Sequence, residues 1–404
     1  MKYIAIIGFG TVGGGITEVL AENREKISSV CGEAVDVKYI LDLRDFPDSP
    51  YGDRVVHDIE PILADPDVAV VCETMGGSHP AYEFSVRCME AGKSVVTSNK
   101  EVVAGFGDKL LETAKRCGVD YLFEASVGGG IPVIRPFLTS LAGETVTAIS
   151  GIVNGTTNYI LTEMKEKGVS FAEALAEAQA LGYAEKNPAA DIDGLDARRK
   201  IVILAALASG ILVEEKDVAV QSLSDVTTAD LDGAEKIGAA VRYIAEARIG
   251  KNGLTACVMP MMVKKAHPLA GISGVYNGIS VTFSLTGDIL YYGRGAGRFP
   301  TAGAVVSDVC ASLSGAAAHE TAPVFRRTDG ALLPLEGEPF PYYVRAEAGR
   351  AELIERLEEA AGSVTVVSDE GGVIEAETGA VDAKTLTAAL DGIKVQRIMR
   401  IREA

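Results

Sequence analysis

Tryptophan is absent from the 404 residues, aromatic side chains make up 6% of them, and histidine occurs four times. The histidines, at 57, 79, 267 and 319, stand too far apart to give metal-ligand spacing, and none sits in a recognisable catalytic motif. Six cysteines, at 31, 72, 88, 117, 257 and 310, include no C-x-x-C pair. That excludes a zinc ribbon and a disulfide framework, and points to the reducing cytoplasm. No run reaches the 18 apolar residues of a membrane-spanning helix. Basic residues are scarce beside acidic ones, 38 against 56, for a net charge of −18. Nucleic-acid binding rests on Lys and Arg neutralising phosphates, so no nucleic-acid partner is expected, and no membrane partner either. The opening "MKYIAIIGFG" reads as a buried strand running into a glycine loop, because its apolar run is too short for a signal peptide.

What remains is an ordinary globular composition, 48% apolar and 23% charged, on a chain long enough for two or three cores. Over the first 130 residues, short apolar runs at 3–8, 35–41, 68–73, 94–98 and 119–124 alternate with helical patterns near 12–22, 79–91 and 107–117. Strands apolar on both faces and separated by helices predict an α/β, doubly wound Rossmann-type sheet over residues 1–143. From 144 to 292 the pattern is α+β. It has strand signals at 145–153, 254–263, 274–284 and 288–292, and helical runs at 157–167, 170–181, 193–209 and 229–247. Ser170 and Glu173 form a capping box for the second of these helices. Residues 293–318, a glycine-rich loop and a helix, are expected to return to the nucleotide-binding domain. A linker at 319–339 leads to a tail, 340–404, whose order βαββαβ predicts a ferredoxin-like module.

Gly8-x-Gly10-x-x-Gly13 lies between the first strand and an amphipathic helix that opens with Thr11 and Val12. That context converts a weak motif into a dinucleotide-binding loop, in which glycines admit the pyrophosphate to the helix N-terminus. At the end of the second strand, Asp42 is placed to accept hydrogen bonds from a ribose 2′-hydroxyl and so to favour NAD. Arg44, two residues on, suits the 2′-phosphate of NADP. Both are present, and the balance leans to NAD.

Further pieces lie at strand ends and helix starts. "VTSNKEVVA" places Asn99 and Lys100 just past the fourth strand, at the edge where such sheets bind ligands. "FEASVGGGIPVIRP" carries Glu124, a glycine run and Pro132, a residue suited to a first helical turn. "GIVNGTTNYIL" puts Gly155 and Thr156 at a helix start. "LGYAEKNPAADIDGLDARRKIVIL" sets Glu185, Asp191, Asp193, Asp196 and Lys200 at the mouth of a helix that then turns wholly apolar. An Asp196–Lys200 pair at i, i+4 is by itself an ordinary surface pair, worth about 0.3–0.5 kcal/mol. The same stripe continues into Ile203, Leu204 and Leu207, which argues for a buried face. Asp193 is a favoured residue type for capping that helix and is left out of the site.

With these motifs and "GRGAGRFPTAGAVVSDV" in order along residues 1 to about 340, the sequence resembles the homoserine dehydrogenase family. The resemblance implies reversible oxidation of L-homoserine to L-aspartate 4-semialdehyde with NAD or NADP, in threonine and methionine biosynthesis. It implies that Glu185, Asp191 and Asp196 hold the substrate with Tyr183, Gly155 and Thr156 nearby, and that Lys200 and Lys100 lie closest to the reacting oxygen. Gly8, Gly10, Thr11, Val12, Gly13, Asp42, Arg44, Asn99, Lys100 and Gly297 fall to the cofactor. A structural monovalent cation, Na⁺ or K⁺, is implied at the carbonyls of Glu124, Val127, Gly129 and Ile131. The resemblance also implies dimerisation through the second domain, so a homodimer or homotetramer is expected.

The chemistry of the residues agrees. Homoserine bears an ammonium that suits acidic side chains, and with no histidine in place lysine is the available acid or base. A lysine acting as base near neutrality needs its pKa brought down from about 10.4. Asp196 one turn before Lys200 favours the protonated lysine instead, so the pair suits a proton donor in aldehyde reduction. Two departures from the family stand out. Leu41 occupies the position before Asp42, where many members carry a basic residue that suits NADP. The tail has the element order of an ACT regulatory domain, but its first turn, "AEAGRAEL", keeps Gly349 without the usual Asp and Pro. A thioester-forming semialdehyde dehydrogenase would need a cysteine beside a base, and no cysteine has that setting. A cofactor-binding amino-acid sensor would have no use for a proton donor at the hydride site.

Overall fold

Residues 4, 6, 70, 72 and 96 of the first sheet point to one face and 5, 7, 71 and 95 to the other, and both sets are buried. The computed structural model describes residues 1–403 apart from 142, 251–252 and 317–322. In the first domain β1 (Lys2–Ile7), α1 (Thr11–Glu22), α2 (Arg24–Cys31), β2 (Val35–Leu41), β3 (Val55–Val56) and α3 (Glu60–Ala64) are followed by β4 (Val68–Glu73) and α4 (Ala81–Glu90). Then come β5 (Ser94–Thr97), α5 (Lys100–Cys117), β6 (Tyr121–Leu122) and α6 (Ile134–Leu138). The six strands are parallel in the order β3-β2-β1-β4-β5-β6, the doubly wound arrangement. Helices α1 and α2 cover one face, while α4 and α5 cover the other.

Three local readings need correction. The stretch 119–124 keeps only Tyr121–Leu122 in the sheet, because from Glu124 the chain coils into a 3₁₀ turn. Helix α5 starts at Lys100 and not near 107, since Asn99 caps it there. Pro132 does not open α6, which begins two residues later.

The second domain holds β7 (Val146–Ile152), α7 (Gly155–Lys167), α8 (Phe171–Ala180), α9 (Ala189–Ile192) and α10 (Leu195–Ser209). Short strands β8 (Ile211–Leu212) and β9 (Ala219–Val220) precede α11 (Thr228–Lys236), and β10 (Ala239–Gly250), β11 (Gly253–Lys264), β12 (Tyr276–Phe283) and β13 (Gly287–Arg294) complete it. The helical run expected over 229–247 ends at Lys236. Gly238, at φ +67°, breaks the helix, and β10 then pairs along its whole length with β11 and in part with β7. The Ala, Arg and Glu of "AAVRYIAEARIG" favour a helix, but a strand buried between two partners outweighs that weak preference. Gly194, also left-handed at φ +73°, takes the N-cap of α10 that Asp193 was expected to hold, and Asp193 accepts from the Ser222 hydroxyl instead. The capping box of Ser170 and Glu173 is present on α8.

Helix α12 (Arg298–Ser314) returns to the first domain and lies against α1, so close that a Cβ on Gly15 would sit 3.0 Å from the Ala302 Cβ. Residues 317–318 of the return segment and 319–322 of the expected linker lie outside the described residues. Beyond them, Phe325 packs beside Gly107, and β14 (Arg326–Arg327) pairs with β8. The tail then runs β15 (Tyr342–Glu347), α13 (Arg350–Ala361), β16 (Val364–Glu370), β17 (Val373–Thr378), α14 (Ala383–Ala389) and β18 (Lys394–Arg402). Its strand order β18-β15-β17-β16 is that of a ferredoxin-like module. Strand β18 also pairs with β11, so one sheet runs from the second domain into the tail. Among the described residues no helix is long and apolar enough to cross a membrane.

Candidate active site

The glycine loop after β1 is shaped by close approach. A Cβ on Gly13 would fall 2.2 Å from the Gly8 carbonyl oxygen, and Gly8 itself has φ +90°. Gly10 is the N-cap of α1, which has neither a side-chain cap nor an acid in its first turn. Its first N–H groups, those of Thr11, Val12 and Gly13, are therefore available to an anion. Across the loop, Asp42 accepts from the Phe9 N–H at 2.8 Å, and from the backbone N–H, Nε and guanidinium of Arg44 at 3.0, 3.0 and 3.1 Å. These bonds, led by those of the Arg44 side chain, hold the Asp42 carboxyl at about 2. The Arg44 guanidinium lies over the Phe46 ring, whose edge meets Phe9. Asn99 is committed to structure. Its Oδ1 caps α5 at Glu101 and Val102, and its Nδ2 donates to Gly77 O at 2.7 Å.

A cavity of about 520 Å³ opens where the two domains meet, and Val12, Lys100, Asp191, Asp196, Lys200 and Gly297 all line it. Behind its wall, residues 201–206 of α10 are no more than 1% exposed and anchor the helix that carries Asp196 and Lys200. Lys200 Nζ donates to Val153 O at 2.6 Å and to Asp196 Oδ2 at 2.7 Å. An ammonium has three donors, so one N–H of Lys200 remains for whatever occupies the cavity. Lys100 Nζ stands 3.3 Å from Asp196 Oδ1. Burial alone would raise the Asp196 carboxyl, but the Lys200 and Lys100 charges and the hydrogen bonds from Lys200 and Asn154 keep it at about 2. Asp191 goes the other way: burial raises it above the ordinary carboxylate value, and the nearby Asp196 charge adds to the rise.

A glycine loop at a helix N-terminus, a buried lysine and two carboxylates thus meet at one cavity, and comparison with known proteins places the combination. The homoserine dehydrogenase NAD-binding-domain profile matches residues 8–124, and the homoserine dehydrogenase profile matches 132–310. The chain belongs to the homoserine dehydrogenase family. A homoserine dehydrogenase of Synechocystis is 43% identical over 313 residues, 76% of this chain and 72% of its own. The crystal structure of a homoserine dehydrogenase from Thiobacillus denitrificans superposes with a TM-score of 0.90 at 32% identity, covering 100% of this chain and 98% of its own. A hyperthermophilic archaeal homoserine dehydrogenase mutant, solved in complex with NADPH, covers 77% of this chain and 98% of its own at 28% identity and a TM-score of 0.65. The protein is a nicotinamide-dependent oxidoreductase of this family, acting on a small-molecule substrate.

Tyr183, Gly155 and Thr156 also line the cavity. The Thr156 hydroxyl donates to Tyr183 O at 2.7 Å, tying the 181–188 loop to α7, and a Cβ on Gly155 would fall 2.8 Å from Val275 O. Glu185 stands apart: it is exposed on that loop and is not among the residues lining the cavity. Gly129 meets the second glycine loop so closely that a Cβ would lie 2.6 Å from Gly295 O. Glu124, Val127, Gly129 and Ile131 all belong to one run of chain, which begins with the 3₁₀ turn Glu124–Ser126.

Three features have no counterpart in the sequence pattern. Asn154 donates to both Asp191 and Asp196, although an Asn before a helix signals only its cap. The Glu124 carboxylate accepts the N–H groups of Val133, Ile134 and Arg135, ten residues onward, and so fixes the glycine run from within. Glu73, wholly buried at the end of β4, accepts from the Thr97 hydroxyl at 2.6 Å, and burial pushes its carboxyl up to about 7. Each depends on contacts between distant segments that no local pattern marks.

Proposed function

We propose that this enzyme interconverts L-homoserine and L-aspartate 4-semialdehyde, with Lys200 as the proton donor to the aldehyde oxygen and as the acceptor in the reverse direction. The carrying observation is the placement of the Lys200 ammonium, buried between Val153 O and Asp196, in a cavity also lined by Val12 of the nucleotide loop. Asp196 and Val153 O hold the Lys200 Nζ in place at the cavity, as a donor requires. Asp191 receives the substrate ammonium, with Tyr183, Gly155 and Thr156 forming the wall. Glu185 closes the set from the rim loop. Lys100 adds positive charge beside the reacting oxygen and faces the cofactor.

The nicotinamide, when bound, supplies the hydride donor or acceptor. Gly8, Gly10, Thr11, Val12 and Gly13 would hold its pyrophosphate at the open N-terminus of α1, with Asp42 and Arg44 at the ribose and Gly297 at the cavity end, while Asn99 serves by capping the helix that carries Lys100. NAD is favoured over NADP, since Asp42 lies at the ribose end and Leu41 replaces a basic neighbour. A monovalent cation, Na⁺ or K⁺, would be held by the carbonyls of Glu124, Val127, Gly129 and Ile131 and would brace the glycine run. We place the enzyme in the cytoplasm, in threonine and methionine biosynthesis. We assign it a homodimer or homotetramer, supported by the edge strand β13, which exposes Leu290 and Tyr292. The test is initial-rate nicotinamide reduction with L-homoserine, with NAD and NADP in parallel. A folded enzyme that binds the nucleotide but turns over no homoserine would overturn the assignment.

A further inference from the structure

We propose that Asn154 is a positioning residue for substrate binding: its amide cross-links the Asp191 and Asp196 carboxylates and holds Asp191 where the ammonium of an amino-acid substrate must meet it. The inference rests on the assignment of Asp191 and Lys200 above, and adds a residue that acts through them.

Asn154 is 6% exposed and all its polar capacity is engaged. Nδ2 donates to Asp191 Oδ1 at 2.7 Å and to Asp196 Oδ2 at 2.9 Å, which uses both amide hydrogens. Oδ1 accepts from the Thr157 N–H at 2.9 Å and from the Thr157 hydroxyl at 3.0 Å. The reversed amide would set an oxygen against two carboxylates and an NH₂ against a helix N–H, so this orientation is fixed by its partners. The preceding residue contributes Val153 O to Lys200. One turn at the end of β7 therefore registers Asp191, Asp196 and Lys200 together, although they lie some forty residues onward in the chain.

The two carboxylates differ in what else compensates them. Asp196 has Lys200 on its own helix and Lys100 from α5. Asp191 faces Asp196 and Lys200 from α10 and Thr156 from α7, and its nearest donor is the Asn154 amide. Removing that donor leaves a buried carboxylate beside a second one, which favours protonation or outward rotation. Either change removes the acceptor for the ammonium and leaves the proton donor intact.

Asn154→Ser and Asn154→Asp both keep an oxygen to cap α7 and lose the amide donor. For both we expect KM for homoserine to rise about tenfold or more near neutral pH. The acidic limb of the KM–pH profile should move to higher pH, kcat at saturating substrate should change little, and dinucleotide affinity should be unchanged. Wild-type KM and an unmoved profile would overturn the proposal, as would a loss confined to kcat and equal at every pH. Carbon-13 NMR titration of the carboxylates, with Asp191→Asn to assign the resonance, gives a second readout that needs no turnover. An Asp191 midpoint unchanged in Asn154→Ser refutes the cross-link, whereas absence of homoserine turnover in the wild type refutes only the reaction.

Discussion

Lys200 Nζ lies 2.7 Å from Asp196 Oδ2, one helical turn away, and both side chains are about 90% buried at the floor of the cavity. A surface pair of this spacing is worth a few tenths of a kcal/mol, but a buried one that also engages Val153 O fixes the direction of a proton. Lys200→Ala is expected to lower kcat by about 10²–10⁴ and to leave dinucleotide binding intact. The fold should survive, because Asp196 retains Lys100 and Asn154. The stability loss should therefore stay below the roughly 3–5 kcal/mol of a fully orphaned buried charge. Single-turnover rates and thermal melting check both parts. Activity within tenfold of wild type would move the proton-transfer role to Lys100.

The Asp42 carboxylate accepts four hydrogen bonds, three of them from Arg44, so its acceptor capacity is already filled. Asp42 can serve a ribose 2′-hydroxyl once the Arg44 side chain turns aside, and the freed guanidinium is the group that would meet a 2′-phosphate. Arg44→Ala should therefore weaken NADPH by about 10- to 100-fold, the loss of one or two charge-assisted bonds. NADH should bind unchanged or more tightly. Fluorescence titration with the two reduced nucleotides measures this directly, and equal losses for both would show that Arg44 does not discriminate.

Glu73 links a pH window to stability. Its carboxyl has an ordinary value of 4.5 and sits near 7 when folded, because burial disfavours the charge. A raised folded value means that the stabilisation is complete below the unfolded value and is lost as pH rises through the folded one. The gap corresponds to about 3 kcal/mol. Glu73→Gln cannot ionise, so it should be up to about 3 kcal/mol more stable than wild type at about pH 8 and indistinguishable at about pH 4. Melting curves at the two pH values decide it. A variant less stable at both would mean that the Thr97 contact requires a carboxylate.

The sheet of the first domain is legible in the sequence because each strand is a continuous apolar run bounded by a loop, and burial on both faces writes such runs plainly. The same logic fails on "AAVRYIAEARIG", where Ala, Arg and Glu suit a helix and only the neighbouring strands decide otherwise. Much of the site lies at strand ends and helix starts, and for that reason Lys100, Gly155, Asp196 and Lys200 stand out along the chain itself. Glu185 stands out by motif as well, but the geometry leaves it on an exposed loop. Asn154, Glu73 and the Glu124 carboxylate are illegible in their second roles. Their partners are fixed by how distant segments pack, and no spacing along the chain encodes that.

The tail belongs mechanically to the body of the enzyme. Asp230 on α11 is fully buried and paired with Arg345 of β15 at 2.9 Å and Arg397 of β18 at 2.8 Å. Tyr343, Met399 and Ile401 enter the main core, and β18 extends the sheet of the second domain. Two arginines share one carboxylate, so each single change leaves a counter-charge in place and the double change leaves none. Arg345→Ala together with Arg397→Ala should cost about 3–5 kcal/mol, more than the sum of the two singles. Urea unfolding of the four-member cycle measures the coupling. Small additive losses, each below about 1 kcal/mol, would show that Asp230 finds water or another donor when its partners leave. Coupling of the expected size would mean that α11 and the tail unfold as one cooperative unit.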